Sequence, residues 1–256
     1  RTVRFMVEVA VEVLRRVQAT RFVEPLREGG SLPGLVEAGD LGTYVVKFTG
    51  AGQGRKALVS EIVVGELGRR LGIRVPELVL VELDPAIGRR EADPEVQELL
   101  LASPGTNLGV DFLPGSIGYD GISWRPTPAV AAGVIWLDAV TVNVDRSWRN
   151  PNLLVWHREL WAVDHGAALL FQHTWPGIDA FARRPYPLDE HALAPFVGAV
   201  PAAAEELAPL VTHSLLTEVL ALVPDEWLPA PDRPVYVEYL AARAASLATW
   251  PPGAGQ

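Results

Sequence analysis

Asp145, Asn150 and Asp164 stand at spacings that suit phosphoryl transfer. Asp145 and Asn150 lie five residues apart in the polar stretch 143–152, and Asp164 follows a short apolar run. In ATP-dependent phosphotransferases an Asp accepts the proton of the substrate hydroxyl, while an Asn five residues later and a further Asp hold Mg²⁺. The spacing predicts Asp145 as the catalytic base and Asn150 and Asp164 as metal ligands, whereas Asn152 lacks the five-residue step. The alternative is that these residues only form turns.

Lys47 is a candidate partner for the phosphates of the nucleotide. It lies in the β-branched and aromatic run 43–48, which predicts a strand, and it is one of only two lysines among 22 basic residues. A lysine kept where arginine is the rule indicates a tight site that the planar guanidinium does not fit. We expect Lys47 to hold phosphate oxygens and Glu61, or else Glu66, to orient it as an ion pair. The alternative is an edge-strand lysine that points to solvent.

The glycine-rich turn 29–34 is a second candidate for contact with the nucleotide. Glycine lets a backbone approach a ligand closely, so amides near Gly30 and Ser31 are expected to cap the triphosphate. Ser31 would then lie beside the nucleotide, where it is a candidate for phosphorylation. A plain hairpin turn is the alternative.

Glycines at 50–54 suggest two other nucleotide-binding motifs, and both fail at a necessary residue. A dinucleotide fingerprint needs a third glycine where this chain has Arg55. A P-loop needs Gly-Lys-Ser/Thr, but Lys56 follows an arginine and precedes Ala57, which has no hydroxyl for magnesium. A nicotinamide-dependent oxidoreductase is therefore only a remote alternative.

The elements that must position these residues change character along the chain. Residues 1–19 form an extension whose structure the sequence does not specify, and residues 20–115 alternate as strands around one main helix. Residues 116–256 are mostly helical and contain the polar stretch and Asp164. The sequence therefore predicts an α+β protein with a small mixed or antiparallel sheet followed by a larger helical part.

Composition narrows the class of protein. The 256 residues carry a net charge of −9, which argues against direct nucleic-acid binding. The chain has no cysteine and no apolar run long enough to span a membrane, so a cytoplasmic location with no membrane partner is expected.

Taken together, these segments resemble the HipA-like kinases over roughly residues 20–230. The segments that carry the resemblance are Tyr44–Phe48 with Lys47, Ser60–Leu67, Leu71–Pro76, Asp145-Arg146-(x)3-Asn150 and Asp164. The resemblance implies a protein-kinase-like fold of two lobes, with residues 20–115 as the nucleotide-binding N-lobe and residues 116–256 as the catalytic C-lobe. It also implies ATP and Mg²⁺ as cofactors. For the site residues it implies the same roles as the spacing: Lys47 contacts the phosphates, Asp145 is the base, and Asn150 and Asp164 bind the metal.

The resemblance adds an adenine site and a class of partner. The segment Leu108–Leu113, with Val110 and Phe112, would connect the lobes and hold adenine. Some family members are serine/threonine kinases that act as toxins beside a DNA-binding antitoxin, so an antitoxin-like protein is a candidate partner besides the unknown hydroxyl acceptor. One departure is His165-Gly166, which stands where eukaryotic-type kinases have Phe-Gly.

Two alternatives to a protein kinase remain open at this point. One is a pseudokinase that binds nucleotide without turnover. The other is a small-molecule kinase of the aminoglycoside or choline type, although those usually carry His-Gly-Asp where this chain has Asn143-Val144-Asp145.

Overall fold

The alternating segments near the N-terminus form a closed five-stranded barrel. The computed structural model describes residues 13–27 and 32–250. The strands are β1 (Arg16–Pro25), β2 (Gly34–Ala38), β3 (Thr43–Lys47), β4 (Leu78–Leu83) and β5 (Gly105–Asp111). Their order around the barrel is β1-β2-β3-β5-β4, and only the β1–β4 pairing, which closes it, is parallel.

The two faces of β3 have different environments because side chains alternate along a strand. Tyr44, Val46 and Phe48 are buried in an apolar cluster with side chains from the other strands. Val45 and Lys47 therefore point to the opposite face. In the antiparallel pairing with β5, Lys47 lies opposite Leu108 and Val45 opposite Val110. Residues 108 and 110 consequently share the face of Lys47.

Three helices accompany the barrel. Helix α1 (Gly54–Arg70) follows β3, and α2 (Pro85–Gly88) and α3 (Pro94–Leu101) lie between β4 and β5. Asp93 caps α3 by accepting hydrogen bonds from two backbone amides of its first turn. Every residue of α1 from Leu58 to Gly68 is buried, since this part of the helix lies between the barrel and the helical part of the chain.

A long apolar helix and a small sheet carry the predicted polar stretch. Strand β6 (Ile117–Gly118) precedes α4 (Pro128–Thr141), and β7 (Leu153–Trp156) and β8 (Glu159–Ala162) follow it as a hairpin. The three strands form an antiparallel sheet in the order β6-β7-β8. The polar stretch is thus the connection from α4 to β7, and Asp164 comes just after β8.

The described residues after the hairpin are mostly helical, up to residue 250. The helices are α5 (Phe171–Thr174), α6 (Ile178–Ala182), α7 (Val200–Leu207), α8 (His213–Ala221) and α9 (Arg233–Ser246), with short 3-10 segments at Ala194–Ala199, Ala208–Leu210 and Ala230–Asp232. Trp136 of α4 is fully buried, and its indole donates to the Leu247 carbonyl beyond α9 at 3.2 Å. The fully buried Arg243 of α9 donates to the Ala139 carbonyl at 3.0 Å.

The strand-rich part followed by a helical part is the α+β arrangement that the sequence predicts. One detail is new: strand β1 begins at Arg16, inside the extension left without a predicted structure. The boundary between the lobes at residue 115 stays a prediction.

Within residues 13–27 and 32–250, no single helix is long and apolar enough to cross a membrane. One strongly bent pair, Ala194–Leu210 with His213–Ala221, would pass by length and composition alone.

Candidate active site

Lys47, Glu61 and Asp164 meet at the junction of the barrel and the helical part. The Lys47 ammonium contacts the carboxylate of Glu61 on α1 and donates to Asp164 Oδ1 at 2.7 Å. The Lys47 and Glu61 side chains are 12% and 2% exposed, whereas that of Asp164 is 44% exposed. One cation thus joins residues that are 14 and 117 positions away in the chain.

Burial and the neighbouring charges set the protonation of these groups. Burial disfavours the charged form of Lys47, but the two carboxylates outweigh this effect and raise its pKa. Burial likewise opposes ionisation of Asp164, yet Lys47 lowers the pKa of Asp164 to about 2. Burial is the largest effect on Glu61, and it raises the pKa of that carboxyl to about 7. Asp164 is therefore ionised near neutral pH, while Glu61 titrates there.

The turn after β8 has the backbone geometry needed to reach α1. Asp164 has a φ of 54°, in the left-handed region that few non-glycine residues adopt. A side chain on Gly166 would place a Cβ 3.1 Å from Glu61 Oε1, so the absence of one leaves room for the carboxylate. The sequence Asp164-His165-Gly166 is thus fitted closely against Glu61.

Asp145 is held by two amides. Asn150 Nδ2 donates to Asp145 Oδ2 at 2.9 Å, and Asn152 Nδ2 donates to the same oxygen at 3.2 Å. Asp145 is half-buried and Asn150 is exposed. Among the described residues, no hydrogen bond reaches Asp145 Oδ1 or Asn150 Oδ1. Asp145 Oδ1 is therefore available to a substrate and Asn150 Oδ1 to a cation. Asn152 is also a site residue, although its spacing from Asp145 did not predict one.

A sharp turn delivers Asp145 from the end of α4. Val142 has a φ of 52°, which is strained for a β-branched residue, and the Asn143 amide donates to the Asp138 carbonyl at 2.9 Å. The Asn143 side chain donates to Asp138 Oδ1 at 3.1 Å, and the Tyr186 hydroxyl donates to the Asn143 carbonyl at 2.7 Å. These bonds compensate for the strain at Val142.

Arg146 is the hub that connects the loop of Asp145 to the loop of Asp164. It is buried, its Nε donates to Asp138 Oδ2 at 2.6 Å, and its Nη1 donates to the carbonyls of Asn152 and, at 3.2 Å, Val163. Its Nη2 lies 3.1 Å from His165 Nδ1. Because Arg146 adjoins Asp145 and both Val163 and His165 adjoin Asp164, one guanidinium sets the relative position of the two acids.

The charge of Arg146 is balanced inside the protein. Asp138 is fully buried and is also 3.1 Å from His191 Nε2. Burial opposes its ionisation, but Arg146 and His191 outweigh this effect and lower the pKa of Asp138 to about 2. Burial and the nearby guanidinium lower the pKa of His165 to about 3, so its ring is neutral and accepts from Arg146. The signal that would have revealed Asp138 is a single carboxylate in the otherwise apolar helix α4.

The other residues predicted to contact the nucleotide are Val110 and Phe112 near the end of β5 and Gly30 and Ser31 in the turn 29–34. Val110 is half-buried on the same barrel face as Lys47. Phe112, one residue beyond β5, is 38% exposed, and its backbone amide donates to the Thr43 carbonyl at 3.0 Å. That amide is therefore not free for a ligand. Gly30 and Ser31 lie outside the described residues.

The donor set suits a hard cation that is shared with phosphates. Asn150 presents an amide oxygen and Asp164 an ionised, partly exposed carboxylate, and magnesium binds such oxygens while phosphates and water complete its shell. Within the described part of the chain, no group of three or more His, Cys, Asp or Glu side chains could hold a metal unaided. The two residues fit a metal that arrives with the nucleotide.

A cavity of about 220 Å³ adjoins the loop of Asp145. Its lining includes Val144 and Ser147 from that loop and Tyr186, Asp189 and His191 from the segment before the 3-10 turn at 194–199. Asp145 itself is not part of the lining, so the cavity lies next to the loop and not at the carboxylate.

Comparisons with known proteins bear on the family and the fold of the chain. The family model described as HipA-like kinase matches residues 19–244. Among solved structures, a Helicobacter pylori proinflammatory kinase, CtkA, is 14% identical with a TM-score of 0.52, and the match covers 91% of this chain and 98% of that one. The Golgi casein kinase with Mn/ADP bound is 14% identical with a TM-score of 0.46 over 92% of this chain and 73% of that one. Curated proteins include no match. The likeness to CtkA shows the fold, and the predicted kinase-like α+β class is confirmed.

Proposed function

The chain belongs to the HipA-like kinase family, as the sequence predicts, and we propose that it transfers the γ-phosphoryl group of ATP to a hydroxyl with Mg²⁺ as the metal. The observation that carries this proposal is the contact of Lys47 with both Glu61 and Asp164. In protein kinases the lysine–glutamate ion pair and the metal-binding aspartate must be in place together for phosphoryl transfer.

In this proposal the barrel binds the nucleotide. Lys47 donates to phosphate oxygens and Glu61 keeps the ammonium in place, since both side chains are already fixed by burial. Val110 and Phe112 are proposed to flank the adenine. Support comes from Val110, which lies on the same barrel face as Lys47, and from Phe112, which follows β5 directly. Gly30 and Ser31 are proposed to cover the phosphates.

Asn150 and Asp164 would hold the metal. When bound, Mg²⁺ neutralises charge on the phosphates and orients the γ-phosphoryl group for in-line attack. Asp164 has to exchange part of its contact with Lys47 for the cation, and its 44% exposure leaves it accessible.

Asp145 is the proposed base. The acceptor oxygen forms a bond to the γ-phosphorus, its proton moves to Asp145 Oδ1, and the bond from that phosphorus to the bridging oxygen breaks to release ADP. The amides of Asn150 and Asn152 hold the other carboxylate oxygen, which leaves Oδ1 for the proton.

We propose a serine or threonine of a protein as the acceptor. Support comes from two apolar side chains in the loop of Asp145, because Val144 is 54% exposed and Trp148 is 61% exposed. Such a surface suits a polypeptide that extends past the base. An antitoxin-like partner and a cytoplasmic location stay predictions.

The test is a radiolabelled-ATP assay with the full chain, Mg²⁺, a serine/threonine peptide library, and aminoglycosides and choline as small acceptors. We expect label on the peptides, and Asp145→Asn should lower kcat by about 10²-fold or more. Asp179→Asn makes the same change at a side chain that is 89% exposed on α6 and should leave turnover intact.

Other results of this assay would identify a different function or a different base. Label only on a small molecule would identify a small-molecule kinase. Stabilisation by Mg-ATP without transfer to any acceptor would identify a pseudokinase. Unchanged turnover in Asp145→Asn would overturn the assignment of the base.

A further inference from the structure

Gln172 connects helix α1 to the helical part of the chain. It lies on the short helix α5 and is fully buried. Its side-chain amide donates to the Ser60 hydroxyl at 2.9 Å and to the Lys56 carbonyl at 3.2 Å. The side chain thus contacts two successive turns of α1 in the part of the helix that carries Glu61.

Two further bonds join the same surfaces. The Lys56 ammonium donates to the Gln172 backbone carbonyl at 2.6 Å, and the Ser60 hydroxyl lies 3.1 Å from the Ala168 carbonyl. Lys56 is the second of the two lysines in the chain. A compact ammonium suits a single buried carbonyl, which the wide guanidinium fork of arginine would not match.

Helix α5 is itself fixed from behind by α9. The Tyr236 hydroxyl donates to Gln172 Oε1 at 3.1 Å, which turns the amide nitrogen of Gln172 toward α1. The neighbouring Phe171 stacks on Tyr239 with ring centroids 4.6 Å apart and meets the Tyr236 ring edge-on at 5.2 Å. Each polar atom of the Gln172 side chain therefore has a defined partner on a packed support.

We propose that Gln172 is a positioning residue that holds α1 where Glu61 reaches Lys47. Ser60, which accepts from Gln172, is adjacent to Glu61 in the chain, so a shift of α1 away from α5 would also draw Glu61 away from the ammonium. This inference rests on the proposed function, because kinases of this fold need the lysine–glutamate pair assembled. Here the hydrogen bonds of Gln172 to Lys56 and Ser60 fix α1 in the position that this pair needs.

The test compares Gln172→Met in the wild-type and Glu61→Gln backgrounds. Methionine keeps the shape of the side chain and removes its hydrogen bonds. We expect kcat to fall on the order of tenfold or more with little change in KM for ATP, because one lost buried hydrogen bond is worth about this factor and the change removes three. In the Glu61→Gln background, Gln172→Met should lower kcat by less than about twofold. The effects of two substitutions are not additive when one residue acts through the other.

Two other variants complete the design. Tyr236→Phe removes only the hydroxyl that orients Gln172, so it should lower kcat by less than Gln172→Met does, and again only when Glu61 is present. If Gln172→Met fails to fold, Tyr236→Phe provides the test. Arg55→Ala removes a solvent-exposed bond from α1 to the Glu226 carbonyl, which is 3.1 Å long, and should retain wild-type kcat.

An equal loss of kcat in both backgrounds, or no loss in either, would overturn the positioning role. Turnover by the wild type shows whether only the role of Gln172 is wrong or the proposed kinase activity as well. If the wild type transfers phosphate and Gln172→Met does so equally well, only the positioning role is wrong. If the wild type transfers none to any acceptor, both proposals fall.

Discussion

Lys47 Nζ lies 2.7 Å from Asp164 Oδ1, so the proposed phosphate-binding cation and the proposed metal ligand neutralise each other directly. A nucleotide with its metal would separate them, since each then gains a partner of opposite charge. The contact thus holds both groups near their working positions and lowers the pKa of Asp164 to about 2, which keeps the carboxylate ionised for a cation.

Asp164→Asn should raise the Mg²⁺ concentration needed for half-maximal turnover by about tenfold or more. Even residues behind the direct ligands cost this much in metal affinity when removed, and Asp164 supplies the only predicted charged ligand. A magnesium titration of initial rates checks this, with Asp179→Asn as the matched control. An unchanged magnesium requirement would remove Asp164 from the metal site.

The two asparagines beside Asp145 should separate by the same titration. Asn150→Ala is expected to raise the magnesium requirement, because its amide oxygen is free to bind the ion. Asn152→Ala should lower kcat at an unchanged magnesium requirement, because it loses the bonds to the Asp145 carboxylate at 3.2 Å and to the Asp145 carbonyl at 3.4 Å that help to orient the base. The reverse pattern would make Asn152 the metal ligand.

Turnover should depend on pH through Glu61. The pKa of this carboxyl is raised to about 7, chiefly by burial, so protonation below that pH removes the charge that holds Lys47. We expect kcat/KM for ATP to rise as pH increases through about 7 in the wild type. Glu61→Gln should be slower and should lack this rise. Glu205→Gln, at an exposed position on α7, makes the same change and should keep the wild-type profile.

Asp138 should contribute to stability in a defined pH range. Its folded-state pKa is about 2 against an ordinary value of 3.8, so its stabilisation is present above about pH 3.8 and is lost as pH falls toward 2. The loss amounts to about 2 kcal/mol. At pH 7, Asp138→Asn should lower the free energy of unfolding by about 3–5 kcal/mol, because Arg146 then keeps a buried charge without its carboxylate.

Urea unfolding at several pH values checks this prediction. Asp138→Asn should also lose part of the acid sensitivity of the wild type, whereas Asp179→Asn should keep it. Equal stability of Asp138→Asn and wild type at pH 7 would show that the buried pair does not stabilise the fold.

The residues proposed to bind or react could be predicted from the sequence, whereas the residues that position them could not. The roles proposed for Asp145, Asn150 and Asp164 depend on local spacing, which the chain displays directly. Lys47 stands out because lysine is rare here and the strand alternation is clear. The structure brings Lys47 into contact with Glu61, the expected partner, and also with Asp164, for which only metal binding was predicted, while the binding roles of all three stay predictions.

The supporting contacts were not predictable because they join residues far apart in the chain. Gln172 meets Ser60 across 112 positions, and His191 meets Asp138 across 53. Neither pairing leaves a periodic pattern, since it depends on how helices pack and not on the propensity of one segment. Asn152 was passed over for a different reason: its left-handed backbone, with a φ of 49°, returns its side chain to Asp145 despite the longer spacing.

The closed barrel limits how other proteins can bind to this part of the chain. Strands β1 and β4 complete the ring through a short parallel pairing at Arg16–Gln18, so β1 from Thr20 to Pro25 is paired with β2 alone. Peptides that bind by β-addition need a free strand edge whose amides and carbonyls lack partners. Within the described residues, the longest edge that an acceptor peptide or a partner protein could extend is therefore Thr20–Pro25 of β1, and binding elsewhere on the barrel has to use side chains and loops.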